Sequence, residues 1–180
     1  VKGKISAGES SFKNCKSLKT IVFKKPYKGG VDLSNSKKLA TVVLAEGTKY
    51  IGESQFDNCI SLKNINFPSS IKNIDMYAFY GCKNLKAVHI PNGLKTIGMG
   101  AFEGCSSLQK IIIPSTVTGI GGSCFKNCHS LKTITIPAGV NTLNNNLFEN
   151  CYNLCEVVTE NQNVKKKKKT FHGCKNLHKI

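Results

Sequence analysis

The stretch that decides the fold runs from Ile97 to Val117 and reads I-G-M-G-A-F-E-G-C-S-S-L-Q-K-I-I-I-P-S-T-V. Within it Phe102, Cys105 and Leu108 stand three residues apart, and the trio recurs along the chain at a constant step of 23 residues. Phe56, Phe79, Phe125, Phe148 and Phe171 keep that step. Cys59, Cys82, Cys128, Cys151 and Cys174 follow three positions on, and Leu62, Leu85, Leu131, Leu154 and Leu177 three further. Upstream, Phe12, Cys15 and Leu18 form an earlier copy, and Leu33, Ser36 and Leu39 a degenerate one that follows after 21 residues instead of 23. A fixed period of this length marks a repeat array. Residues 1–180 therefore read as one domain of about eight coils, the second degenerate and the last cut short at Ile180, halfway along a strand.

Most columns of the repeat carry a physical meaning. The segment L-x-x-I-x-I-P, as in Leu131, Ile134, Ile136 and Pro137, alternates apolar and outward positions and reads as a short half-buried strand. Proline closes it at Pro68, Pro91, Pro114 and Pro137, removing a backbone donor where the chain must leave the ladder. The pattern V-x-x-I that follows (Val117 and Ile120, or Ile71 and Ile74) returns the chain across the opposite face. After that isoleucine come Gly52, Asp75, Gly98, Gly121 or Asn144, which predict a positive φ there. Asn14, Asn58, Gly81, Gly104, Asn127, Asn150 and Gly173, each immediately before a cysteine, predict a second one. The intervening Ala-Phe-x-x-Cys stretch is too short for a stable α-helix and predicts a single helical or 3₁₀ turn. No coil can bury its apolar side chains without a neighbour, so stacking is obligatory, with strands about 4.8 Å apart in one parallel sheet and eight rows spanning roughly 35 to 40 Å.

Composition limits the partners. The 180 residues carry 26 basic against 10 acidic side chains, a net charge of +16, and every basic residue is lysine. Such a field attracts nucleic acid, anionic lipid or acidic proteins. Without arginine, however, the chain lacks the planar fork that reads guanine edges, so sequence-specific nucleic-acid binding is not expected. No apolar run approaches the roughly 18 residues of a membrane-spanning helix, and Val1 to Lys4 lack the apolar stretch of a signal peptide. Soluble behaviour is the expectation, with any export signal outside this stretch.

The consensus I-G-x-x-A-F-x-x-C-x-x-L-x-x-I-x-I-P-x-x-V resembles the BspA-like class of leucine-rich repeats, most closely over Ile51 to Val158 and less so over Val1 to Tyr50. The resemblance implies a right-handed leucine-rich solenoid with a parallel concave β-sheet and short turns, bridges or 3₁₀ segments on the convex side. It also implies binding in place of catalysis, since such proteins are known largely as surface or secreted adhesins. The family has no catalytic motif to carry over, so no residue inherits a catalytic role.

The remaining chemistry-bearing residues read as structural. Seven of the nine cysteines are one repeat column and the simplest role for them is a small buried filler. Cys124 takes the slot of Ala78 and Ala101, and Cys155 at the strand edge is the exposed thiol. The pairs Cys124/Cys128 and Cys151/Cys155 do not match zinc spacings, and neither a metal nor any cofactor is expected. His89, His129, His172 and His178 fall in different columns, so no nucleophile and base converge. Gly119 to Ser123 lacks the lysine and spacing of a phosphate loop. In Lys165, Lys166, Lys167, Lys168 and Lys169, a basic tract, Lys166 occupies the column of the buried Ile51, Ile74, Ile97, Ile120 and Leu143. That return strand is expected not to pack and to form instead a solvated, poorly ordered polar end cap; the rival reading is a nuclear-localisation or anionic-surface tract.

Function is expected on the concave sheet. Its central outward column is Val22, Val43, Asn66, His89, Ile112, Thr135 and Val158, beside a column that contains Lys110, with Lys19, Lys63, Lys86 and Lys132 one column further. A mildly apolar stripe flanked by positive charge suits a protein partner, an acidic one above all. The alternatives are an adhesin for host or matrix proteins and a lysine-driven binder of an anionic membrane or nucleic acid. Oligomeric state is not set by the sequence. Eighteen asparagines and 26 serines and threonines produce no N-x-S/T acceptor, where chance gives about two or three. That points to a cytoplasmic or plasma-membrane-associated protein, whereas family habit points to secretion or the cell surface.

Overall fold

The computed structural model describes residues 12–27 and 31–180. In chain order the strands are β1 (Thr20–Val22), β2 (Thr41–Val43), β3 (Tyr50–Ile51), β4 (Asn64–Asn66), β5 (Asn73–Ile74), β6 (Ala87–His89), β7 (Thr96–Ile97), β8 (Lys110–Ile112), β9 (Gly119–Ile120), β10 (Thr133–Ile136), β11 (Thr142–Leu143), β12 (Glu156–Thr159) and β13 (Lys165–Lys166). All pairings are parallel and join residues one repeat apart, such as Val88 with Ile111 and Ile74 with Ile97. The chain is the solenoid its period demands, with the longer strands on the concave side. An isolated bridge between Glu156 and Lys179 begins the next concave rung.

Two ladders form where one sheet was expected, and neither is continuous. The concave strands group as β1-β2-β4, β6-β8 and β10-β12, while the return strands group as β3-β5-β7-β9 and β11-β13. On the return side the interruption has a cause. Elsewhere the isoleucine carbonyl accepts a backbone N–H from the next coil, as from Gly98 to Ile74 and from Gly121 to Ile97, both at 2.8 Å. The Ile120 carbonyl instead accepts from the Asn144 side-chain amide at 2.7 Å, which substitutes for the ladder bond. The concave interruptions have no local cause that we can name.

The Ala-Phe-x-x-Cys stretch is neither helical nor 3₁₀ but a stack of turns. Its N–H groups alternate between neighbours above and targets within the turn. Phe79 donates to Ala101 and Gly81 to Glu103, both at 2.8 Å, whereas Tyr80 and Cys82 donate three residues back, to Tyr77 and Phe79. That alternation ties every turn to the next coil, which a helical turn with only internal bonds would not do. The positive φ before each cysteine is present throughout, from Asn14 at 58° to Gly173 at 77°. The other expected column is corrected: Gly52, Asp75, Gly98, Gly121 and Asn144 are not among the positive-φ residues. These positions continue the return ladder, and a Cβ on Gly121 would lie 2.3 Å from the Met99 nitrogen. The left-handed residue comes two positions later, at Ser54, Tyr77, Gly100, Ser123, Asn146 and Lys169.

Phenylalanines form the spine. Phe56, Phe79, Phe102, Phe125 and Phe148 are fully buried, and successive rings stack within 11° of parallel at 5.2 to 5.9 Å, ending on Phe171. Around them close the isoleucine, leucine and cysteine columns. The thiols do more than fill space. Each Sγ donates to the carbonyl of the residue 26 positions back, Cys82 to Phe56, Cys105 to Phe79, Cys128 to Phe102 and Cys151 to Phe125, at 3.0 to 3.2 Å. Alanine could not make that bond, whereas Ser36, the member of the column that is not cysteine, is equally buried and donates to the Phe12 carbonyl at 3.1 Å.

Burial pushes the Cys59 thiol up to about 12 and carries Cys82, Cys105, Cys128 and Cys151 above the ordinary thiol range. These five are therefore expected to resist iodoacetamide at mild pH until the chain unfolds, as mass spectrometry of alkylated protein would show. Native disulfides between successive members of the column would overturn this. The shifts also fix the sign of the pH dependence. Unfolded thiols ionise above about pH 8.5 while folded ones stay protonated, so stability is full below that pH and is lost above it. The loss is about 1.4 kcal/mol per thiol per pH unit until the folded thiol itself ionises.

Candidate functional site

The concave ladder brings the expected outward residues into register. Val22 stands opposite Val43 and Val43 opposite Asn66, His89 pairs with Ile112, and Thr135 pairs with Val158. Alternation along each strand turns Ile21, Val42, Val88, Ile111, Ile134 and Val157 inward, which leaves the intervening residues outside. Val22 is 55% exposed, Ile112 44%, Val158 43% and Val43 36%, a row of apolar side chains that the core does not use. Lys110 stands beside Ala87 in the adjacent column, and Lys63, Lys86 and Lys132 are exposed one column further.

One member of this surface differs from its expected role. Asn66 is not free to serve a partner, because its Oδ1 accepts the Leu44 N–H at 2.7 Å and its Nδ2 donates to the Leu44 carbonyl at 3.2 Å. It closes the end of the neighbouring strand. Glu156, beside Thr133 at the end of the column that contains Lys110, is ion-paired with Lys179.

The basic tract is corrected more strongly. Lys165 and Lys166 form β13 on β11, Thr142 opposite Lys165 and Leu143 opposite Lys166, and Lys167 donates to the Leu143 carbonyl at 2.9 Å. It is an ordered coil, not a loose loop. The backbone bonds hold whatever the side chain, and all five lysine side chains are exposed. Because the fold uses only their backbones, replacing all five with glutamine is expected to move the melting temperature by no more than about 2 °C. Marked unfolding on calorimetry would show that the charges are structural.

Three features carry no signal in a single repeat. His129 stacks on Tyr152 at 4.8 Å, and Lys175 lies 5.8 Å over the same ring, all in one column. Tyr77 and Tyr80 meet edge to face at 5.9 Å and, with Met76 and Met99, expose an apolar patch on the turn face. Beside it opens a cavity of about 600 Å³ lined by Lys13, Asp32, Glu53, Gln55 and Asp57. Burial, then the nearby Asp32, raises the Asp57 carboxyl. Among the described residues no three histidines, cysteines or acids gather in a way that could hold a metal ion, and no helix is long and apolar enough to cross a membrane.

Comparison with known proteins gives consistent findings. A family model described as BspA type leucine rich repeat region (6 copies) matches residues 30–155 and 100–180. The chain is similar to the leucine-rich repeat protein of T. pallidum, at 30% identity and a TM-score of 0.81 over 89% of this chain and 78% of that one. A leucine-rich repeat protein from Eubacterium ventriosum shares the fold, at 21% identity and a TM-score of 0.61 over 94% and 68% of the two chains. No curated protein matches significantly.

Proposed function

Since the chain belongs to the BspA-type leucine-rich repeat family, whose members are typically interaction or surface proteins, we propose that it is a non-enzymatic module that binds an acidic protein partner on its concave sheet. The observation that carries this reading is the outward column of the concave strands, in which Val22, Val43, Ile112 and Val158 are exposed among Asn66, His89 and Thr135, with lysines beside it. Interface cores need desolvated apolar contact, and charge around them governs encounter. An adhesin for host or matrix proteins would use the same face. The second reading, a lysine-driven binder of anionic membrane or nucleic acid, is favoured by the exposure of Lys165 to Lys169. At the coarser level, interaction in place of catalysis is typical of the family.

Capture from the source cell with the intact chain, washed from low to moderate salt, separates the two. Phosphate-driven affinity falls by orders of magnitude across such a step, whereas a packed protein interface weakens far less. Retention of an acidic protein is the expected result. Loss of everything bound at moderate salt would replace the concave reading with the lysine-driven one.

A further inference from the structure

The face opposite the concave sheet is electrically divided along its length. The 23-residue step fixes its columns: Glu53, Met76, Met99, Gly122, Asn145 and Lys168 form one, and Asp57, Tyr80, Glu103, Lys126, Glu149 and His172 another. Five of the ten acidic residues, Asp32, Glu53, Asp57, Asp75 and Glu103, lie on the N-proximal coils of this side, whereas Lys165 to Lys169 and His172 lie on the last. Lys49, Lys72 and Lys95 share those coils, so the five acids leave this end near neutral in a chain of net charge +16 while the last coil is strongly positive. Lys13 pairs with Asp32 at 3.7 Å, whereas the Asp57 Oδ1 is buried without a hydrogen-bond partner. Between the two ends Met76 and Met99, each 42% exposed, and Tyr80, 38% exposed, form the apolar patch.

We propose that this face docks a second copy of the chain, antiparallel to the first, about a two-fold axis that passes between the rows of Met99 and Gly122. Such an axis keeps each column opposite itself and reverses the order of rows. Glu53 then faces Lys168 of the second copy and Tyr50 faces Lys165, the main contacts of the pair; Asp57 faces His172 and Glu103 faces Lys126, and this His172 and Lys126 already pair with Glu149 of their own chain at 3.6 and 3.0 Å. The other lysines of this side, Lys49, Lys72 and Lys95, face Val164, Asn141 and Thr118, so none of these columns sets like charges against each other. Met76 and Met99 lie over Asn145 and Gly122, where a small or short side chain leaves room for them. A parallel arrangement would lay the lysine tract on itself. The antiparallel contact uses the same patch on both copies and closes, so it gives a dimer and not a filament.

Magnitudes set the strength. The six rows span only about 24 Å at the strand spacing, whereas a standard interface buries roughly 800 Å² on each partner. Each exposed ion pair contributes little by itself. A weak, salt-sensitive dimer follows.

Sedimentation equilibrium of the intact chain at about 50 mM and about 500 mM salt tests this, with the dissociation constant expected to rise at least about tenfold at the higher salt. Glu53→Lys with Asp57→Lys, and separately Lys165→Glu with Lys168→Glu, should each be monomeric where the parent dimerises. An equimolar mixture of Glu53→Lys alone with the Lys165→Glu, Lys168→Glu variant should dimerise again, because the Glu53→Lys site then faces the Lys168→Glu site at one end and the native Glu53 and Lys168 face each other at the other. Should Asp57→Lys unfold its coil, the exposed Glu53→Lys alone serves as the first member. A chain that stays monomeric at low salt, charge variants that still self-associate, or a mixture that fails to pair would each overturn the proposal. Aspartates at His89 and Ile112 should leave the dimer intact, which separates its failure from failure of the concave reading.

Discussion

Phe102→Ala is expected to lower the unfolding free energy by about 3 to 5 kcal/mol and to loosen the coils on both sides. The ring is fully buried and stacks on Phe79 at 5.2 Å and on Phe125 at 5.9 Å. Its removal ends two aromatic contacts, each worth about 0.5 to 1.5 kcal/mol beyond area. Collapse cannot recover much of this, because the neighbouring coils are pinned by backbone. Phe102 donates to the Cys124 carbonyl at 3.0 Å and accepts the Cys128 thiol at 3.2 Å, bonds that survive truncation and hold the void open. In a repeat array stability is the sum of coil and interface terms, so both interfaces of one coil weaken together. The Phe102–Phe125 spacing is the widest of the ring ladder, and here the concave ladder also lapses between β8 and β10. Denaturant unfolding is therefore expected to broaden or split as well as shift. Phe171→Ala, which removes a half-buried ring with a single stack at 5.6 Å, should cost clearly less. A change below about 1 kcal/mol for Phe102→Ala would mean that the column is not core.

Sequence legibility follows how much a position constrains residue type. Phenylalanine, cysteine and leucine columns are visible because each demands a shape, and the left-handed position before cysteine because only asparagine and glycine fill it from Asn58 to Gly173. The second left-handed column was illegible because it holds Ser54, Tyr77, Gly100, Ser123, Asn146 and Lys169. Interlocking hydrogen bonds on both sides impose the conformation there regardless of intrinsic preference. Apolar filling was a fair reading of the cysteine column, but the thiol-to-carbonyl bond appears only when the coils are stacked. The order of Lys165 and Lys166 was missed for a related reason. Hydrophobic pattern predicts what a side chain will tolerate, whereas β13 is held by backbone bonds to β11 that any residue can make. On the concave face, the outward columns were legible from alternation alone, but the engagement of the Asn66 amide with Leu44 depends on a rotamer that no pattern encodes.

His89→Asp combined with Ile112→Asp is expected to weaken partner binding by more than about 30-fold, equivalent to the 2 kcal/mol or more lost at an interface hot spot. These residues are direct cross-strand neighbours at the middle of the concave row, so the pair places two carboxylates where the proposed contact is driest. Burying either against an apolar surface without a partner costs more than the contact returns, and an acidic partner would be repelled as well. Folding should suffer little. Both side chains are exposed, and like charges opposite each other on a sheet cost about 0.2 to 1 kcal/mol. An unchanged circular dichroism spectrum and melting curve would confirm that the loss is one of recognition. Lys86→Glu should act differently, slowing association while leaving dissociation nearly unchanged, because rim charge governs encounter and the apolar stripe governs residence. Changes at Glu103 and Lys126 on the turn face should leave capture intact. If those abolish binding while the concave pair is silent, the partner sits on the turns, and the exposed valines and isoleucine are there only because β-branched residues suit strands.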